Sequence, residues 1–175
     1  MKKYDLIREG KLFRIIALKD FGFIKKGELG GLIEKESNLS QKNECWIYEN
    51  ASVTGNAEVR GNALVSGNAE VSGNALVYGN AQVIDKSKVY GNATVYSTAH
   101  VSGNAKATKE VITFGNIFDY DITITDNHIK IGCQQYLKSR WLEFTNKEIL
   151  EMEGKKALKF WGLFKPFAIN MGFFN

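Results

Sequence analysis

The triplet Gly-Asn-Ala occurs at positions 55, 61, 67, 73, 79, 91 and 103, and every interval between copies is a multiple of six. Related triplets fill the gaps in the same register: Glu49-Asn50-Ala51, Asp85-Lys86-Ser87 and Ser97-Thr98-Ala99. A branched residue stands two places before each one, at Ile47, Val53, Val59, Val65, Val71, Val77, Val83, Val89, Val95 and Val101, and Ala107 closes the series. A six-residue period is neither the 3.6 of a helix nor the 2 of an open strand. It describes very short strands separated by turns and stacked coil upon coil, as in a parallel β-helix.

Each position of the hexad has a physical reason. The branched residue and the alanine four places later point into a narrow interior, where a larger side chain than alanine would overpack the stack. Glycine and asparagine form the corner, glycine because it takes any backbone conformation and asparagine because it tolerates the left-handed region. The two remaining positions face solvent and are free to vary.

This pattern resembles the left-handed β-helix of hexapeptide-repeat proteins, in which three hexads make one coil. The resemblance covers Ile47 to Lys106, about a third of the chain, and implies about three coils and a height of roughly 15 Å at the usual strand spacing. So short a solenoid needs both ends covered. The expected fold is mainly β: a short left-handed parallel β-helix over 47–108, an N-terminal β cap over 1–46 and a C-terminal α+β module over 109–175.

In the cap, Phe13, Ile15 and Ala17 alternate with Leu12, Arg14, Ile16 and Leu18, and turns are expected at Glu9-Gly10 and from Gly27 to Gly31. The stretch GELGGLIEKESNLS followed by CWIYENA is similar to the lead-in of small hexapeptide-repeat proteins encoded by phages and prophages. Trp46 is expected to lie over the first coil. In the C-terminal module, Ile122 and Ile124, then Ile129, Ile131 and Cys133, flank the turn signal Asp126-Asn127, which predicts a hairpin with Cys133 in its core. Thr145-Asn146-Lys147-Glu148 is a capping box, predicting a helix from Asn146 to about Phe164 that stops before Pro166. The block HIKIGCQQYLKSRW resembles the tail of the same phage-type proteins.

Composition bounds the function without choosing it. Apolar residues make up 44% of the chain and charged residues 24%, which fits a folded, soluble protein. No apolar run is long enough to span a bilayer, and the first residues lack the apolar core of a signal peptide. Cys45 and Cys133 stand far apart without a CxxC pair, which favours a reducing, cytoplasmic setting and no structural disulfide. A net charge of +4 permits nucleic-acid contact without arguing for it.

Many hexapeptide-repeat proteins are acyltransferases that use a histidine as general base at a cleft between subunits. His100 and His128 are the only histidines. His100, at an outward position just before Val101, is the catalytic candidate, with acetyl-coenzyme A as the implied donor and a solvated surface residue as the plain alternative. No inserted loop interrupts the hexads from Val53 to Val101. The γ-type carbonic anhydrases share the fold but need three histidine ligands, so no metal or cofactor is expected.

Residues eighteen apart stack on one face, which puts Arg60, Tyr78 and Tyr96 in one column with Leu64, Gln82 and His100 beside it. Arg60, Leu64, Tyr78, Tyr96 and His100 form the candidate binding surface, since exposed tyrosine and arginine are enriched in protein contacts. A second contact candidate is the C-terminal run with Lys155, Lys156, Lys159, Phe160, Trp161 and Phe164, whose aromatic side is expected to cover the open end of the solenoid or to pack between subunits. The function expected from this reading is a non-catalytic interaction protein of phage or prophage origin, binding a protein partner and inhibiting a host defence complex, with a homotrimer as the assembly implied by the fold. The alternative is a divergent acyltransferase using His100.

Overall fold

The computed structural model describes residues 2–117 and 120–175 and, within them, no side chains over 115–117. Eleven two-residue strands, from Trp46–Ile47 to Lys106–Ala107, recur every six residues. Each pairs in parallel with the strand one coil away, as in Ser52↔Glu70 and Val53↔Val71. Two faces of the prism carry four coil strands and the third carries three, so the stack is nearly four coils rather than three. Three backbone bonds per hexad hold neighbouring coils: Ser52 donates to Ala69, Thr54 to Val71 and Asn56 to Gly73, at 2.9, 2.9 and 2.7 Å.

The interior is the column the hexads prescribe, with the valines and alanines from Val53 to Ala107 all buried. Ser87 takes an alanine position and is buried, but its hydroxyl donates to the Ile84 carbonyl at 2.7 Å, so no polar group is stranded.

At the corners the two small residues divide the work differently from expectation. Positive φ falls on the first residue of the triplet: Gly73 at 71°, and Glu49, Asp85 and Ser97 at 55°, 64° and 58° where glycine is replaced. The asparagines of the repeat do not enter the left-handed region. They form side-chain ladders along the stack, Asn56 to Asn74 at 3.2 Å, Asn74 to Asn92 at 3.1 Å and Asn62 to Asn80 at 3.2 Å.

The N-terminal strands Tyr4–Glu9, Leu12–Ala17 and Leu29–Ile33 pair antiparallel in order, and the third then pairs in parallel with Ser52–Val53. Leu39 bridges Val59, so the cap reaches a second face, and it shares one continuous core with the coils. Gly30 and Gly31 lie inside a strand, not in a turn. A Cβ on Gly30 would stand 2.5 Å from the Ile47 carbonyl oxygen, and one on Gly31 2.5 Å from that of Ala51, so glycine is needed for the close approach of strand to coil. Trp46 also departs from expectation. It occupies an outward position of the first coil, and Phe21 and Tyr4 close over its ring edge-on at 5.3 and 6.2 Å.

The C-terminal strands Ile112–Ile117, Tyr120–Ile124, His128–Ile131 and Gln134–Leu137 form an antiparallel meander, with the predicted hairpin around Asp126-Asn127. Cys133 is exposed, not a core residue, because Gly132 at φ +54° turns the chain there and ends the alternation at Ile131. Two helices follow, α1 (Lys138–Glu143) and α2 (Asn146–Asn170). The capping box of α2 is formed: the Thr145 hydroxyl accepts from the Glu148 amide at 3.3 Å and the Glu148 carboxylate accepts from the Thr145 amide at 2.9 Å. The helix breaks at Glu153 and Gly154 and continues through Pro166 to Asn170, further than expected. Proline there forgoes one helical bond, to Gly162, which the burial of Phe160, Trp161, Phe164 and Ala168 offsets. Among the described residues no helix is long and apolar enough to cross a membrane.

Candidate functional site

The corner between two solenoid faces carries the column anticipated from the eighteen-residue spacing. The Arg60 guanidinium lies 5.1 Å from the Tyr78 ring centroid, and Tyr78 stacks on Tyr96 at 5.7 Å with 16° between planes. At the far end the Glu110 carboxylate lies by the Tyr96 hydroxyl and holds that phenol above its ordinary pKa. The column therefore runs cation, ring, ring, anion. Arg60 is exposed and both tyrosines are half-buried. Leu64 is half-buried on the adjoining face, paired with Gln82 on one side and Trp46 on the other. Glu110 lies beyond the last hexad, where the period no longer predicts position, and nothing in the repeat pointed to it.

His100 follows Gln82 in the same face, but it is not a solvated surface residue. The C-terminal sheet closes against it: the His100 amide donates to Thr123 Oγ1 at 3.2 Å, and the ring is half-buried with Nε2 shielded from water and without a hydrogen-bond partner. Burial, and secondarily the nearby Lys130 charge, lowers the imidazole pKa against an opposing pull from Asp85. Around it the junction is polar. Gln135 accepts from the Ser102 hydroxyl at 2.6 Å and donates to the Ser102 carbonyl at 2.8 Å, Asn127 accepts from the Lys106 amide at 2.9 Å, and Asp126 accepts from the Thr108 amide at 2.7 Å. A buried neutral imidazole is a competent base only where an acceptor reaches it, and here the sheet occupies the approach from its own side.

The end of the solenoid is thus covered by the hairpin and the following strand, not by the aromatic side of α2. Phe160, Trp161 and Phe164 are buried at 6, 4 and 2% exposure in a separate core with Trp141 and Ile149, so these three are not free to touch a partner. Lys155, Lys156 and Lys159 are exposed on the outer side of the same helix. A cavity of about 150 Å³ beside that core is lined by Trp141, Met152, Trp161 and Cys133. Among the described residues no three His, Cys, Asp or Glu side chains come together as metal ligands.

No protein-family model matches the chain. It is similar to a protein of Escherichia coli (strain K12), the uncharacterized acetyltransferase YdcK, with 36% identity over an alignment of 76 residues that covers 35% of this chain. The chain spans 23% of the length of that relative.

Proposed function

We propose that the chain is a non-catalytic interaction protein that binds a protein partner through the Arg60, Tyr78, Tyr96 column and the adjoining Leu64 edge. The observation that carries this reading is the pairing of an accessible, pre-ordered aromatic column with a histidine half-covered by the C-terminal sheet. Stacking fixes the tyrosine rotamers before any partner arrives, so little side-chain entropy is lost on contact. The likeness to phage and prophage proteins supports a partner from the host cytoplasm, and a host defence complex is the class proposed. A homotrimer built on the solenoid faces is the assembly proposed with it.

The test is capture of partners from nuclease-treated bacterial lysate with the tagged chain and with its Tyr78→Ala/Tyr96→Ala variant. A stoichiometric protein held by the first and lost by the second supports the reading. A partner held equally by both, or none at all, overturns it.

A second reading is favoured by the similarity to the E. coli acetyltransferase and by the unpartnered Nε2 of His100: an acyltransferase in which His100 is the general base and acetyl-coenzyme A the donor. Binding of acetyl-coenzyme A with acceptor-dependent turnover that His100→Ala abolishes would establish it.

A further inference from the structure

Lys3 is 1% exposed, although its side chain ends in an amine. An amine that deep must find acceptors. Its Nζ donates to the Cys45 carbonyl at 2.9 Å, has the Lys42 and Asn43 carbonyls at 3.5 Å each, and stands 3.3 Å from Cys45 Sγ. The Phe21 ring lies on another side, with its centroid 5.2 Å from the nitrogen. Cys45 is itself fully buried. The pair sits at a seam: Lys3 leads into the first cap strand, Tyr4–Glu9, and Cys45 into the first coil strand, Trp46–Ile47.

The carbonyls alone satisfy an ammonium, so the sulfur is an additional contact. It places two nucleophiles at contact distance, with no carboxylate among the amine's hydrogen-bond partners. Burial lowers the Lys3 pKa, which favours the reactive free amine, and burial raises that of Cys45, which keeps it a thiol. Dioxygen is small and apolar, so the walls that exclude ions admit it.

We propose that Lys3 and Cys45 are a covalent modification site, joined by dioxygen into a reducible nitrogen–oxygen–sulfur bridge. The S–H bond and one N–H bond of the free amine break, and S–O and O–N bonds form. The O=O bond is cleaved, with one oxygen atom retained in the bridge and the other leaving as water with the two hydrogens. Sulfur and nitrogen each give up two electrons, which together reduce one dioxygen. A one-atom bridge needs nitrogen and sulfur appreciably closer than 3.3 Å, an approach made by rotation about the four-carbon lysine stem. The bridge would fasten the cap to the first coil across 42 residues of sequence, removing freedom chiefly from the unfolded chain.

The test uses the full chain, reduced, then held in air-saturated buffer until the exposed Cys133 is fully oxidised, and mapped by peptide mass. The expected product joins the Lys3 and Cys45 peptides with a gain of about 14 Da, one oxygen gained and two hydrogens lost. It disappears with dithiothreitol, fails to form without dioxygen and is absent from Lys3→Arg and Cys45→Ser. Recovery of Cys45 as a free thiol after Cys133 is consumed overturns the proposal. So does Cys45 found as a sulfinic acid, in a disulfide, or bonded directly to nitrogen with the loss of about 2 Da.

Discussion

Tyr78 lies on Tyr96 with ring centroids 5.7 Å apart, and the stack is closed by Arg60 above and Glu110 below. Arg60, Tyr78 and Tyr96 make one column because the coil returns the chain to the same corner every eighteen residues, and Glu110 joins it from beyond the last hexad. Stacked aromatic pairs contribute about 0.5–1.5 kcal/mol beyond area burial. Tyr78→Ala is expected to lower stability by about 1 kcal/mol and to leave the far-ultraviolet circular dichroism unchanged, as chemical denaturation would measure. A loss well above that would mean that the column supports the coil itself and is not a surface feature.

The glycines with positive φ fall into two physical classes, and substitution separates them. Gly73 has φ +71° and a Cβ there would stand 2.9 Å from the Gly91 nitrogen and oxygen. Gly10 has φ +62° with nothing within 4 Å of the added carbon. Gly73→Ala combines left-handed strain with a backbone clash and is expected to cost about 2–4 kcal/mol, whereas Gly10→Ala carries the strain alone at about 1 kcal/mol. Thermal unfolding of the two variants should rank them in that order. Equal shifts would show that coils separate freely enough to absorb the carbon.

The asparagine ladders give a third comparison. Asn74 accepts from Asn56 and donates to Asn92 on the neighbouring coils, while one coil below Asn104 stands Lys86, not an asparagine, and among the described residues its side chain joins no ladder. Removing one side chain breaks two bonds in the first case and none in the second. Asn74→Ala is expected to cost about 1–2 kcal/mol and Asn104→Ala close to nothing, read from urea midpoints at constant slope.

The hexad prescribed what repetition can prescribe: the stacked strands, the buried valine and alanine column, and the outward ladder. It could not locate contacts made once. Glu110 ends the tyrosine column and Thr123 meets His100, yet both lie outside the repeated register. Gly30 and Gly31 resemble a turn in composition, because close packing of a strand and a tight turn demand the same missing Cβ. Cys133 continued an apolar alternation that Gly132 interrupts. For α2, the sequence named the cap but not the extension past Pro166, since burial of Phe164 and Ala168 in the module's own core decides it.

Acid should undo the molecule in two stages. His100 and His128 both have folded pKa values below 6.5, lowered by burial, with Lys130 adding to the effect at His100. The folded state therefore favours the neutral rings, so the unfolded chain takes up protons first as pH falls. Their contribution to stability is complete above about 6.5 and declines below it until the folded values are passed. Glu148 follows the carboxylate rule. The Thr145 amide and hydroxyl, then Arg140, hold it down to about 2 from 4.5, so its contribution is present above 4.5 and is lost between there and 2. Unfolding midpoints measured from pH 8 to pH 2 should fall in the first window and again in the second. His100→Gln with His128→Gln should flatten only the first decline, and Glu148→Gln only the second. A first decline that survives both histidine substitutions would place the acid sensitivity elsewhere than at these two buried rings.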